Sequence, residues 1–569
     1  MDYKFALDEV VQPLYAAVPG IAFSLGNTEV AFHVHADGAV HVMSAEVERA
    51  LAQCRSFRTL DEHVAQIVQR NPSLADKQPA VRGVLEHLSR LGVIVPARDL
   101  VKRLGREVAR DAAPLRAVVV RDTGDRAGLD ATLASALAHE RATGSRRRWG
   151  VVGRAESGTR EALARVRDDG LDVRFVDAVR AADAFGAGDS GALELALLLG
   201  AGARIAQADA GTRFEFRRAP GSRDVLSLPR PGGLPLDLAE SVEEASACGE
   251  PAGGDAIAQA ESWCGRTVGA VVAGGLALDA AGVAGYALGH PDIEPGTRIV
   301  AVDFAVRGAP RGADPAFPWH LRGEARERLW RSRELHDAQR RQPCLVMAPT
   351  DVRAVAGVST VPFLLDGSAL LPPTHGDGAG AERLFGILLR LLHPDALVLR
   401  AATTIARAAP AGDGTPAVHT PAVADLLAEL AQGAQSLIKS DDPATRLARY
   451  AVLVRDLGEA PARRRLEVLS GFVAHRRAAH LTQLQNDLDG LVGAPGWWTD
   501  ALTEAIVATG RPLTAHTTPR LSGWPETLDE AGCAERLGAD LLEFAARCER
   551  WPQAWDRAKS AADEVLTGT

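Results

Sequence analysis

Apolar and polar positions alternate in three short stretches near the N-terminus, at residues 21–25, 30–34 and 40–43. A period of two is typical of half-buried strands, so each stretch predicts a strand. Asp37 and Gly38 lie between the second and third stretches and favour a tight hairpin turn. Residues 21–43 therefore predict a three-stranded antiparallel sheet.

Helical spacing of apolar residues follows at residues 44–54, 60–68 and 81–91, and an apolar run at 93–95 ends the region. Ser44 is a preferred N-cap residue, and Glu46 and Glu48 suit the first turn of a helix. Three strands followed by three helices predict a small α+β unit of the winged-helix type over residues 1–96.

Three histidines fall in the predicted hairpin. Across a two-residue turn, His35 opposes Val40 and His33 opposes Val42, which places His41 opposite Val34 on the other face of the sheet. Three ligands do not converge in this arrangement. The sequence therefore predicts no metal site there.

Residues 97–114 are charged with helical spacing and predict a connecting helix. A buried-strand run then opens at 115–120, and further strand runs at 149–152, 173–176 and 203–206 alternate with helical stretches at 127–143 and 191–199. This alternation predicts an α/β domain over residues 115–410, with a mixed sheet and helices on both faces. From about residue 420 to 569 the apolar spacing is helical, including a stripe of Leu426, Leu427, Leu430 and Leu437.

Composition narrows the function classes. The chain has 569 residues and a net charge of -9, which argues against a nucleic-acid-binding protein, since such proteins need a basic face. Its six cysteines have no C-x-x-C spacing, and residues 1–4 do not begin a signal peptide. No run of eighteen apolar residues could span a bilayer. We therefore expect a cytoplasmic protein with no membrane span and no nucleic-acid partner.

The N-terminal unit resembles the pyrroloquinoline-quinone chaperones, the recognition elements that bind leader peptides of ribosomally made, modified peptides. The likeness is carried by the strand at 39–43, the segment Phe57-Arg58-Thr59-Leu60-Asp61-Glu62, and the positions Val84-Leu85, His87-Leu88 and Leu91-Gly92-Val93-Ile94.

The resemblance implies that a leader or precursor peptide adds as a strand beside the third strand and packs on the third helix. Val40, Val42, Leu85 and Leu88 would line that groove, and a modifying enzyme would be a further partner. The alternative is that these four residues belong to the hydrophobic core of the unit.

The region 115–410 resembles the GT-A class of glycosyltransferases, and the whole chain is similar to a bacterial set in which a chaperone-like N-terminus precedes such a domain. The matching segments are 121–126, 191–210, 298–317, 365–366, 370–373 and 380–386.

The resemblance implies a nucleotide-sugar site with Mg²⁺ or Mn²⁺ on the diphosphate, because hard cations prefer carboxylate oxygens. Arg121, Asp125, Arg126 and Asp209 would contact the nucleotide. The family's aspartate cluster is reduced here to Asp209, so no metal site is predicted. Glu382 takes the place of the residue that accepts the acceptor proton, or else is an ordinary acid in the first turn of a helix.

Three hypotheses follow. The leading one is a peptide-binding component of a bacterial peptide-modification pathway with a degenerate glycosyltransferase-like scaffold. The alternative is an active glycosyltransferase that neutralises the leaving phosphates with arginine and uses Glu382 as base. A third, a structural subunit that binds no small molecule, predicts a cleft filled by its own side chains.

Overall fold

A computed structural model describes residues 12–154, 157–230, 236–289, 292–310, 317–355, 361–376, 379–408, 420–514 and 517–567. The N-terminal residues 1–4 and the expected domain end at residue 410 lie outside these ranges.

The N-terminal unit contains the three strands and three helices that the sequence predicts, with one additional strand pair. In chain order its elements are β1 (Tyr15–Ala17), β2 (Gly20–Ser24), β3 (Glu29–Val34), β4 (Val40–Ser44), α1 (Ala45–Leu51), α2 (Leu60–Arg70), the 3₁₀ helix Pro72–Lys77, α3 (Gln78–Arg90) and β5 (Ile94–Pro96). Strands β2, β3 and β4 form an antiparallel sheet in that order, and β1 pairs with β5.

Local capping explains where two of these helices begin. The Ser44 side chain accepts a hydrogen bond from the backbone N–H of Val47 at the start of α1. Thr59 and Glu62 form a reciprocal capping box at the start of α2, a pattern that satisfies two backbone N–H groups of the first turn.

The register predicted for the hairpin is wrong. His33, and not His35, opposes Val40. The backbone N–H of Val34 donates to the carbonyl of Ala39 at 2.8 Å, so the loop comprises the four residues 35–38 instead of two. A longer loop moves the register by two residues but leaves each side chain on the same face of the sheet.

The remaining chain forms an α/β structure and a set of long helices. The elements up to the middle of the sheet are α4 (Ala97–Leu104), β6 (Leu115–Arg121), α5 (Arg126–Thr143), β7 (Trp149–Gly153), α6 (Ser157–Asp168), β8 (Val173–Asp177), α7 (Ala178–Phe185), α8 (Ala192–Leu199), β9 (Arg204–Asp209), β10 (Thr212–Arg218), β11 (Leu226–Ser227), β12 (Leu236–Leu238), α9 (Val242–Ala247), β13 (Glu250–Pro251), α10 (Ala256–Trp263), α11 (Val268–Ala273), α12 (Ala280–Val283) and β14 (Ile299–Gly308).

The C-terminal half also contains both strands and helices. Its elements are α13 (Phe317–His320), α14 (Gly323–Arg331), α15 (Arg333–Arg341), β15 (Leu345–Met347), β16 (Val352–Val355), β17 (Leu364–Asp366), α16 (Ala379–Leu392), β18 (Leu397–Arg407), α17 (Val423–Ala434), α18 (Pro443–Glu459), α19 (Ala462–Asp489), α20 (Gly496–Thr514) and α21 (Glu530–Thr567).

Within the described residues these strands form a mixed sheet of 13 strands, with the central order β11-β16-β18-β14-β17-β9-β6-β7-β8. Strands β9, β6, β7 and β8 are parallel to one another. Strand β17 is antiparallel to both of its neighbours, β9 and β14. The expectation of an α/β fold with a large mixed sheet is confirmed.

Both faces of the sheet are covered. Along β6, Ala117 and Val119 face one hydrophobic core, and Val118 and Val120 face another. The first core is closed by α8, α16 and the C-terminal helices, and the second by α4, α5 and α10. Burial on both faces explains why the strand runs are continuously apolar.

The C-terminal helices share the first of these cores with the sheet. The indole N–H of Trp551 on α21 donates to the carbonyl of Leu371 at 2.6 Å, and Arg547 pairs with buried Glu194 of α8 at 2.9 Å. The expected stripe is wrong at Leu437, which lies beyond the end of α17 and is exposed. None of the described helices combines the length and apolar character needed to cross a bilayer.

Candidate functional site

The chain order of the strands locates the first candidate site. From β6 the chain moves outward to β7 and β8, and β9 then lies on the other side of β6. In open α/β sheets, ligands bind outside the carboxyl ends of the strands at such a reversal. Arg121 ends β6, Asp209 ends β9, and the two residues are paired in register.

A buried network of charged groups occupies this position. The guanidinium of Arg121 lies 2.5 Å from one carboxylate oxygen of Asp209, and Arg407 of β18 pairs with the other oxygen. Glu382, in the first turn of α16, lies 3.9 Å from Arg121. The side chains of Arg121, Asp209 and Glu382 are all buried. The structure therefore brings together three of the predicted site residues.

A second ion pair lies beside the first. Asp303 of β14 pairs with Arg400 of β18 at 3.4 Å, and its other carboxylate oxygen accepts the backbone N–H of Phe363 at 3.3 Å. Both partners of this pair line the same cavity as Asp209, Glu382 and Arg407. The site thus contains three carboxyl groups and three guanidinium groups.

Burial shifts the ionisation of this network. It raises the pKa of Glu382 to about 7, an effect that Arg121 opposes and Asp303 reinforces. It also raises the pKa of Asp303, against the influence of Arg400. Burial and the proximity of Arg121 lower the pKa of Arg407 to about 9. Glu382 can therefore hold a proton near neutral pH.

The described residues line an open cleft of about 190 Å³ at this network. By itself this cleft is smaller than most ligand pockets, which measure about 300–1,000 Å³. The side-chain amide of Gln207 donates to the carbonyls of Val361 and Pro362. Its carbonyl oxygen has no hydrogen-bond partner within the described part of the chain.

The donor set does not fit Mg²⁺ or Mn²⁺. Both oxygens of Asp209 are paired with guanidinium groups, and a divalent cation needs several free oxygen ligands. In the described ranges, no three histidine, cysteine or acidic side chains are grouped so that they could hold a metal ion.

Two further predicted nucleotide contacts have local roles. Asp125 caps α5 by accepting the backbone N–H of Gly128 at 3.0 Å. Arg126 pairs with Asp130 one turn along the same helix, at 3.2 Å. These side chains are engaged at the helix start instead of joining the buried network.

Three members of the network, Asp303, Arg400 and Arg407, are not among the site residues that the sequence predicts. Arg400 and Arg407 lie in β18, whose other residues are apolar or small. Because a charged side chain in a buried strand needs a partner, the two arginines are a signal that the sequence does contain. The sequence does not identify the partners, since Asp209, which pairs with Arg407, lies almost two hundred residues away.

The predicted peptide-binding residues do not line one groove. Leu85 and Leu88 of α3 are buried in the core of the N-terminal unit, as the alternative interpretation held. Val40 and Val42 of β4 lie on the outer face of the sheet and are exposed. The cause is the two-residue alternation of β4, which directs His41 and Met43 toward the helices and both valines away from them.

The free edge of β4 is the second candidate site. Within the described residues β4 pairs with β3 alone. Because Val34 and Ala39 form a hydrogen-bonded pair, the next pair, which includes Val40, is not hydrogen-bonded, and neither is the one that includes Val42. The backbone N–H and C=O groups of both valines therefore point to the free edge.

Comparison with protein-family models gave no match, and comparison with curated proteins gave no significant match.

Proposed function

We propose that the chain is the peptide-binding component of a peptide-modification pathway. Its N-terminal unit, of the winged-helix type, takes an extended leader or precursor peptide as an additional strand on β4. The α/β domain, similar to GT-A glycosyltransferases, serves as a scaffold.

The free edge of β4 is the observation that carries the proposal. Peptide residues opposite Val40 and Val42 can exchange main-chain hydrogen bonds with these two residues, whose backbone groups point outward. In β-strand addition such bonds provide affinity, and contacts to alternate side chains provide specificity. Val40 and Val42 would supply those contacts on the outer face.

The sequence of β4 supports the same conclusion. Proteins normally protect an exposed edge with lysine, proline or inward-pointing charges, because an unprotected edge pairs with other chains. Strand β4 reads Val-His-Val-Met-Ser and contains none of these. An unprotected edge suits a strand that is meant to receive a peptide.

The charged network supports a scaffold role for the α/β domain. Each guanidinium in the cavity already has a carboxylate partner, so phosphate groups would have to displace those carboxylates.

The test begins with a display library of random peptides selected on the full chain. Selected peptides are then titrated by fluorescence anisotropy against the wild type, Val42→Pro and Val42→Ala. Proline removes the outward N–H of residue 42 without breaking a bond to β3, whereas alanine keeps that N–H. We expect Val42→Pro to abolish binding and Val42→Ala to weaken it moderately.

Equal binding by Val42→Pro and the wild type would contradict strand addition at β4. Val492→Ala, at an exposed valine remote in sequence from β4, is the matched control and is expected to bind like the wild type. A library that yields no binding peptide would also contradict the proposal.

A second candidate function is sugar transfer from a nucleotide-sugar, and one observation favours it. Arg121, Asp209 and Glu382 meet at the reversal of strand order, and burial raises the pKa of Glu382 to about 7, which suits a general base. Calorimetric titration with UDP- and GDP-sugars, with and without Mn²⁺, tests it. Binding weakened by Asp209→Ala would support transfer, and absence of heat would contradict it.

A further inference from the structure

The outer face of the β2-β3-β4 sheet is apolar and uncovered. Five large side chains on it or at its end, each 50% to 62% exposed, are Ile21, Phe23, Leu25, Val40 and Val42. Large apolar surfaces of this kind mark interaction sites in soluble proteins. The proposed peptide site at the edge of β4 uses only the two valines.

The strand register places these side chains in rows. Ile21 and Val40 flank His33, and Phe23 and Val42 flank Ala31. Directly opposed residues of an antiparallel sheet lie on the same face. The outer face therefore has an apolar ridge on β2, a second ridge on β4, and smaller or polar side chains on β3 between them.

We infer that this face is the contact surface between two copies of the chain, packed sheet against sheet. Two twisted sheets pack face to face with their strands about 30° apart, which lets one ridge of each copy lie over the small Ala31 of the other. An apolar face of this kind can pack against its own copy, as a two-fold interface requires.

The area agrees with such a contact. Five side chains that are each at least half exposed form an apolar patch on the order of a few hundred Å². A standard interface buries about 800 Å² on each partner, with a polar rim around an apolar centre. The apolar face therefore provides the centre of an interface of ordinary size.

Sedimentation equilibrium of the full chain tests the inference. We expect the wild type at twice the mass of the chain. Phe23→Lys places a charge at the centre of the interface, and we expect the dissociation constant of the dimer to rise on the order of a hundredfold. Ile21→Lys, in the neighbouring row, is expected to act in the same way. Circular dichroism tests whether the variants remain folded. We expect them to do so, since neither side chain belongs to the core.

Two matched variants separate this interface from other contacts. Leu437→Lys, at an exposed leucine after α17, is expected to leave the dimer intact. Val42→Pro removes a hydrogen-bond donor from the edge of β4 but keeps an apolar side chain on the face, and is also expected to leave it intact.

A wild type that remains monomeric would overturn the inference. A dimer that withstands Phe23→Lys would also overturn it. If Val42→Pro dissociates such a dimer, the two copies pair through their β4 edges and not through the outer face. A variant that loses peptide binding but remains a dimer bears only on the proposed peptide site at the edge of β4. The failure of one proposal can therefore be distinguished from the failure of the other.

Discussion

Replacing Glu382 by glutamine is expected to stabilise the protein increasingly from about pH 4.5 to neutral pH and to change little below about pH 4.5. In the folded chain, burial raises the pKa of Glu382 from an ordinary 4.5 to about 7. A carboxyl group with a raised pKa adds stability below its unfolded pKa, and that contribution is lost as the pH rises through the folded value. Glutamine has nearly the same shape and does not ionise.

The magnitude follows from the shift. Each pKa unit corresponds to about 1.4 kcal/mol, so the rise from 4.5 to about 7 corresponds to about 3 kcal/mol. The free energy of unfolding of Glu382→Gln minus that of the wild type is therefore expected to grow by about this amount between pH 4.5 and pH 7. Above pH 7 the difference should level off.

Urea unfolding followed by tryptophan fluorescence, repeated across this pH range, measures the difference. Glu504→Gln, at an exposed glutamate of α20, is the matched control and should show no such growth. A Glu382→Gln difference that stays constant from pH 4.5 to pH 8 would refute the claim that burial holds a proton on Glu382.

Three further outcomes concern stability and are measured by denaturant unfolding. Arg407→Met leaves buried Asp209 with less compensation and is expected to cost about 3 kcal/mol, whereas Arg463→Met, on the surface of α19, should change stability by less than about 0.5 kcal/mol; equal effects would contradict the buried pair. Leu85→Ala is expected to cost about 2–5 kcal/mol because its side chain lies in the core, and a cost under about 0.5 kcal/mol would place it on the surface instead. Thr59→Ala removes the capping box of α2 and is expected to cost about 1 kcal/mol; an unchanged midpoint would mean that the cap contributes nothing.

Much of the fold could be predicted because its signals are local. The apolar run at 115–120 became β6, and the Thr59 and Glu62 pair marks the start of α2. Such patterns depend on residues a few positions apart, so periodicity and capping preferences are sufficient to find them.

The predictions that failed depend on distant or geometric information. The hairpin register was wrong because Asp37 and Gly38 lie within a four-residue loop, which composition alone does not distinguish from a two-residue turn. Arg407 was missed because its partner Asp209 meets it only through the pairing of distant strands. The groove position of Leu85 came from the resemblance alone, and helical spacing could not correct it because this spacing does not tell a core face from a binding face.

Amide hydrogen exchange of β4 tests the central claim most directly. In the free chain the N–H groups of Val40 and Val42 point to an open edge and should exchange rapidly, whereas that of His41 bonds to β3 and should exchange slowly. Adding a selected peptide is expected to slow exchange at both valines and to leave α20 unchanged. A peptide that binds tightly without slowing exchange at Val40 and Val42 would contradict strand addition as the function of this unit.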